Sequence, residues 1–150
     1  MKVSKHLSLT EVTHSNTAVR KFINNTPNEE QLENLKLVAE KVFEPVRVHF
    51  DTSIGISSGF RCEELNKAIG GSKTSDHCKG MALDIDADLY GKISNLEIGM
   101  YIYNNLEYSQ LIFEKPDEEG EPRWIHVSYN KDNLKKETLV FRDGKYIKFN

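Results

Sequence analysis

The chain has 150 residues, enough for one domain with a real core and too few for two large ones. Its 20 Lys and Arg against 23 Asp and Glu leave a net charge of -3, and the basic residues are scattered, so no basic patch invites nucleic acid. No apolar stretch approaches the roughly 20 residues that span a bilayer. The opening Met1-Lys2-Val3-Ser4-Lys5-His6 lacks the apolar run of a signal peptide. The expectation is synthesis in the cytoplasm without export by the usual route, and a monomer that engages neither membrane nor nucleic acid. Two cysteines, Cys62 and Cys78, make no disulfide framework and are expected as reduced, partly buried thiols.

Residues 1–25 are polar with scattered apolar positions and read as short turns or helices wrapped on the body. Residues 27–48 carry the clearest helical pattern. Thr26 stands as cap, Pro27 as first helical residue and Glu29 as capping-box partner, with Leu32, Leu35, Val38, Ala39, Val42, Phe43 and Val46 forming one apolar face. Pro45 is expected to bend or end this helix, and His49 to sit favourably near its C-terminus.

Residues 54–58 alternate as a strand, 61–69 form a short helix ending at Gly70-Gly71, 72–80 are a loop, and 81–86 are a strand. A second helix spans 94–107, with Ser94 and Glu97 as capping box. Strands follow at 110–114 and 124–129, joined by a turn that holds the acidic run Asp117-Glu118-Glu119. A last hairpin spans 138–149 around the turn signal Asp143-Gly144. Helices first, then mixed elements, then hairpins indicate a single α+β domain over residues 1–150, with a mainly antiparallel sheet packed against helices.

The chemistry concentrates in two segments. Ser75-Asp76-His77-Cys78-Lys79-Gly80-Met81-Ala82-Leu83-Asp84 places His77 in a loop and Asp84 on the strand after it, with Gly80 allowing a tight backbone turn between them. Trp124-Ile125-His126-Val127-Ser128 places His126 on a strand face with Trp124 and Ser128. Two imidazoles and one carboxylate are a common ligand set for catalytic zinc, because three protein ligands leave a tetrahedral position open. Each residue alone has an ordinary structural reading: His126 as a satisfied core histidine, His77 as a solvated loop residue, Asp84 as a capping or salt-bridging acid. His6 and His14 keep that ordinary reading.

The wider sequence supplies context. Ser58-Gly59-Phe60-Arg61-Cys62, Leu65-Asn66, Ala68-Ile69-Gly70-Gly71-Ser72, the Ser75 to Ile85 segment, Gln110-Leu111-Ile112 with Glu114, and Trp124 to Ser128 together resemble the zinc D-alanyl-D-alanine carboxypeptidase family of metallopeptidases. The small single-domain members of phages and prophages are the most similar, and Leu7 to Glu11 and Asn25-Thr26-Pro27 also resemble them. The resemblance runs from about residue 4 to about residue 130 and leaves out the last hairpin.

The resemblance implies the fold shared with the hedgehog signalling domain and a zinc ion held by His77, Asp84 and His126. It implies that Arg61 faces the scissile carbonyl or its oxyanion, where a fixed cation lowers the barrier; the ordinary alternative is a salt bridge at a helix start. It places Ser75 against substrate, the alternative being a loop-turn serine. Many relatives carry an acid three residues before the last histidine, where this chain has Arg123. The substitute general base is Glu114, with Glu121 of the turn as second candidate.

The implied substrate is a peptidoglycan stem peptide, with a D-alanyl-D-alanine terminus first and an L-alanyl-D-glutamate bond, as cut by phage endolysins, second. Lysis after phage-type release, or carriage on a virion, fits the missing leader. The rivals are a non-catalytic zinc-bearing wall-binding module, favoured by Arg123, and a phage structural protein positioned by its peptidase core.

Overall fold

The computed structural model describes residues 1–150. A two-stranded ribbon, β1 (Lys2–Ser4) and β2 (Leu7–Ser8), leads into short helices α1 (Leu9–Thr13) and α2 (Asn16–Arg20). The first 25 residues thus form short helices, with a small ribbon added. The ribbon is tied to the main helical run through Glu44, whose carboxylate accepts from the Ser4 hydroxyl at 2.6 Å and from the His6 backbone N–H at 2.8 Å, and meets the His6 ring at 2.6 Å.

The long helical pattern forms one continuous run with a widened middle: α3 (Glu29–Val38), a π-helical turn (Ala39–Phe43) and α4 (Glu44–Phe50). Its N-terminus differs from the sequence expectation. Asn28 and Gln31 form the capping box, each bond 2.8 Å, while the Thr26 hydroxyl is spent on Asn24. Pro45 neither ends nor breaks the run. The Glu44 N–H reaches back five residues to the Ala39 carbonyl, so the wider turn absorbs the donor that proline lacks. His49 lies in the last turn of α4 and stacks on Tyr101 at 4.1 Å.

The remaining elements are β3 (Gly55–Ser58), α5 (Glu63–Ala68), a 3₁₀ turn (Asp76–Lys79), β4 (Ala82–Asp86), a second 3₁₀ turn (Ala87–Leu89), α6 (Asn95–Asn105), β5 (Gln110–Glu114), β6 (Trp124–Ser128), β7 (Glu137–Arg142) and β8 (Lys145–Lys148). Strands β3 to β8 form one sheet in the order β3-β4-β6-β5-β7-β8. Every neighbouring pair is antiparallel except β5–β7, which runs parallel. This is the α+β architecture that the order of elements implies. The closing hairpin turns through Asp143 and Gly144, both at positive φ.

Strand alternation divides the sheet into two faces. Leu83, Ile85, Leu111, Phe113, Ile125 and Val127 point one way and are buried with the apolar side of α3, α4 and α6. Gly99 lets α6 approach: a Cβ there would overlap the Phe113 ring. The other face carries the polar residues Asp84, His126 and Glu114, so the core fixes the strands and the strands fix the site.

Candidate metal centre

Asp84 and His126 are directly opposed on β4 and β6, and the imidazole Nδ1 lies 3.1 Å from Asp84 Oδ1. His77 enters from the 3₁₀ turn, its Nε2 3.3 Å from the same oxygen. The three ligand atoms all lie within 4.8 Å of one another. The structure therefore brings His77, Asp84 and His126 together.

Several local contacts set the His77 ring. The Ser75 hydroxyl accepts from the His77 backbone N–H at 3.2 Å and caps the turn. Gly80, at φ 75°, closes it in the left-handed region. Helix α3 braces it from outside, with Gln31 donating to the Cys78 carbonyl at 3.1 Å and Asn34 to the Lys79 carbonyl at 2.9 Å.

The decisive bond joins His77 Nδ1 to the Gly59 carbonyl at 2.6 Å. A carbonyl can only accept, so Nδ1 carries a proton and Nε2 is the nitrogen turned toward Asp84. A nitrogen facing a carboxylate at this distance is bridged either by a proton on Nε2 or by a metal ion that takes both groups as ligands. An Nδ1–H fixed by an outer hydrogen bond is the arrangement that metal-bound histidines adopt.

The electrostatics agree. Burial pushes the Asp84 carboxyl up, but the His77 and His126 imidazoles more than offset it and hold the group well below the usual carboxylate range. Burial pushes His126 down and Asp84 raises it further, for a net rise. The donor set of two nitrogens and one carboxylate oxygen, two of the three side chains nearly inaccessible, suits zinc.

Residues 5–101, nearly two thirds of the chain, match the family model described as Peptidase M15. The chain belongs to the peptidase M15 family. M15 peptidases are zinc-dependent, which accords with a His–Asp–His group able to hold a metal. No curated protein matches the chain.

The M15 match covers Arg61, His77 and Asp84 and stops before Glu114 and His126, which the sheet register then places on the same face. Glu114 ends β5, opposite Trp124, while Ile112 two residues earlier is opposite His126. Diagonal neighbours of this kind stand about 7–8 Å apart. Glu114 lines the same cleft as the three ligand candidates. Burial pushes its carboxyl up to about 7, with His126 lowering and Asp84 raising it.

Glu121 goes elsewhere: its carboxylate accepts from the Asn95 and Leu96 N–H groups at 2.9 and 3.2 Å and caps α6. Arg123 is exposed and does not line the metal-centre cleft.

Arg61 lines the cleft too, at 3.5 Å from the Ser75 hydroxyl, and its Nε is buried without a partner. No acid pairs with it, so the salt bridge considered for a helix start is not formed. Ser75 serves as a cap and also lines the cleft. Cys62 and Cys78 are free and partly buried, with the Cys62 sulfur capping α5.

Two supports carry no chemical signature in the sequence. Gly59 acts through its carbonyl, which no side chain announces. Asn25 clamps the Arg61 segment, donating to the Thr13 and Phe60 carbonyls at 2.9 Å each and accepting from the Cys62 N–H at 2.7 Å. Its one hint is the resemblance of Asn25-Thr26-Pro27 to the small members of the family.

Proposed function

We propose that this chain is a zinc-dependent peptidase of peptidoglycan stem peptides, with His77, Asp84 and His126 as metal ligands, Glu114 as general base and Arg61 as oxyanion partner. The observation that carries the reading is the His77 tautomer, held by Gly59, beside Asp84 and His126. A zinc ion in this ligand set supplies a Lewis acid that polarises the scissile carbonyl and acidifies water.

The remaining work falls to the side chains. Glu114, with its raised proton affinity, takes a proton from the attacking water and gives it to the departing amine. Arg61 and Ser75 line the side of the cleft away from β7 and β8. The guanidinium, which lines the cleft, would stabilise the negative charge that develops on the carbonyl oxygen. Ser75 would touch the substrate while capping the turn that carries His77.

The family's usual D-alanyl-D-alanine carboxypeptidase activity is the first reading. L-alanyl-D-glutamate endopeptidase activity is the second, favoured by a cleft of about 830 Å³ that continues past the ligand residues instead of closing beside them. A lysis enzyme or virion component of a phage is the setting we propose. No helix is long and apolar enough to cross a membrane.

The test is to purify the chain, measure its zinc, and follow muropeptides by mass spectrometry. Release of D-alanine marks the carboxypeptidase, and internal fragments mark the endopeptidase. Stoichiometric zinc with no cleavage of any muropeptide would replace the enzyme reading with a wall-binding module.

A further inference from the structure

The cleft runs well beyond the candidate metal centre, and the sheet register shows how. Asp84, His126, Ile112 and Leu139 form one row across β4, β6, β5 and β7. Trp124, Glu114, Phe141 and Tyr146 form the adjacent row across β6, β5, β7 and β8. Both rows line the same cleft. The Phe141 and Tyr146 rings meet at 4.6 Å, and Tyr146 is left 61% exposed.

The two ends of the cleft differ in chemistry. One is mostly polar, with Arg61, Ser72, Thr74 and Ser75; the other carries the apolar side chains Leu139, Phe141 and Tyr146, with Lys115 and Glu137 at its margins. The apolar end belongs to the β7–β8 hairpin, which lies after the residues that match the family model. It is therefore a feature of this chain beyond the matched segment. A large ring exposed inside a cleft gains free energy when a ligand covers it.

Taking the chain as a stem-peptide hydrolase, we propose that Leu139, Phe141 and Tyr146 form a subsite for a part of the substrate remote from the scissile bond. The span sets the substrate's length. From β6 to β8 there are three inter-strand steps, about 14 Å, which an extended peptide covers in about four residues. A substrate that ends beside the ligand residues leaves the shelf bare, while one that continues for about four residues reaches Tyr146. The preferred substrate is thus a whole stem peptide, and the hairpin measures its length.

The experiment is a length series: stem peptides extended from two to five residues away from the cleaved bond, assayed with the zinc-loaded full chain, together with calorimetric binding of the longest. The wild type is expected to gain about tenfold in kcat/KM when the fourth residue is added. Tyr146→Ala is expected to erase most of that step and to weaken binding of the longest peptide by a similar factor. Tyr146→Thr keeps strand propensity on this edge strand and separates loss of the ring from loss of the hairpin. Phe22→Ala, an exposed ring outside the cleft lining, is the control.

A length step equal in wild type and both Tyr146 variants, or no step at all, overturns the subsite while leaving the peptidase reading intact. Binding of the longest peptide that weakens in Tyr146→Ala, with no cleavage of any peptide, supports the shelf and overturns the peptidase reading. A wild type that neither binds nor cleaves overturns both.

Discussion

His77 and Gly59 are eighteen residues apart, and the 2.6 Å bond between the imidazole Nδ1 and the Gly59 carbonyl decides which ring nitrogen faces Asp84. The carbonyl is held in turn by its strand-end position: the next residue, Phe60, donates its N–H to the Val12 carbonyl at 2.6 Å, and Asn25 grips the Phe60 carbonyl. A loop histidine thereby acquires the fixed tautomer that a ligand needs.

Removing a ligand should abolish metal uptake without dismantling the domain. Asp84→Asn keeps the shape and removes the charge that both imidazoles face. The expected outcome is a loss of zinc affinity of at least about 100-fold. The wild type, at zinc a hundred times its Kd, should gain about 3 kcal/mol of stability that the variant lacks. Thermal unfolding with and without zinc checks both statements.

Glu114→Gln should retain zinc and lose turnover by about 10² to 10⁴. Its effect on the metal-free fold has the opposite sign. The folded-state carboxyl titrates near 7 against an ordinary 4.5, so the folded protein binds the proton more tightly than the unfolded chain does. Stability therefore falls as pH rises from 4.5 to 7, by up to about 3 kcal/mol. At pH 8 the metal-free Gln variant should be as stable as the wild type or more so. A variant clearly less stable at that pH would show that the carboxylate is satisfied by contacts other than those seen.

The same acid gives the activity profile its acidic limb. Below about 7 the metal-free group is protonated and cannot accept a proton. A bound cation favours the carboxylate and moves the limb to lower pH. The expected kcat/KM falls tenfold per pH unit below the limb, and Glu114→Gln loses it. A limb that persists in that variant would assign the base elsewhere.

Glu44 should govern acid stability through the N-terminal ribbon. Burial pushes its carboxyl up, but the Ser4 hydroxyl, the His6 ring and the His6 N–H more than compensate, leaving it below its ordinary 4.5. Its contribution is present above the unfolded value and is lost as pH falls through the folded one. Glu44→Gln should cost about 1–3 kcal/mol at pH 7 and less at pH 3. Denaturant titrations at the two pH values test this.

Asn25→Ala should act on the site from outside it. Three hydrogen bonds to the segments around Thr13 and Phe60–Cys62 are lost, so about 1–3 kcal/mol of stability should go with them. Because the clamp holds the backbone of Arg61, kcat should fall while zinc content stays the same. Unchanged kcat in a destabilised variant would make Asn25 a purely structural residue.

Features written in short stretches of chain were legible without coordinates. Ser94 and Glu97 cap α6 as their spacing requires, and alternation gives Asp84 and His126 defined strand faces, though the pairing of β4 with β6 that brings them together is a distant contact. Glu114 was within reach of the same argument, because the hairpin of β5 and β6 fixes its register to Trp124.

Other features depend on contacts distant in sequence. The parallel pairing of β5 with β7, which inserts the last hairpin into the sheet beside the site, has no local signature. The Thr26 cap loses to Asn28 because both residues suit the role and packing chooses between them. Pro45 reads as a breaker until the π-helical turn before it supplies the room.

The most direct measurement is a crystal structure of zinc-loaded protein with anomalous data at the zinc edge. One peak is expected, about 2.0–2.2 Å from His77 Nε2, an Asp84 carboxylate oxygen and His126 Nδ1. A peak at any other residues, or full zinc retention in a chain with all three side chains replaced by alanine, would contradict the account.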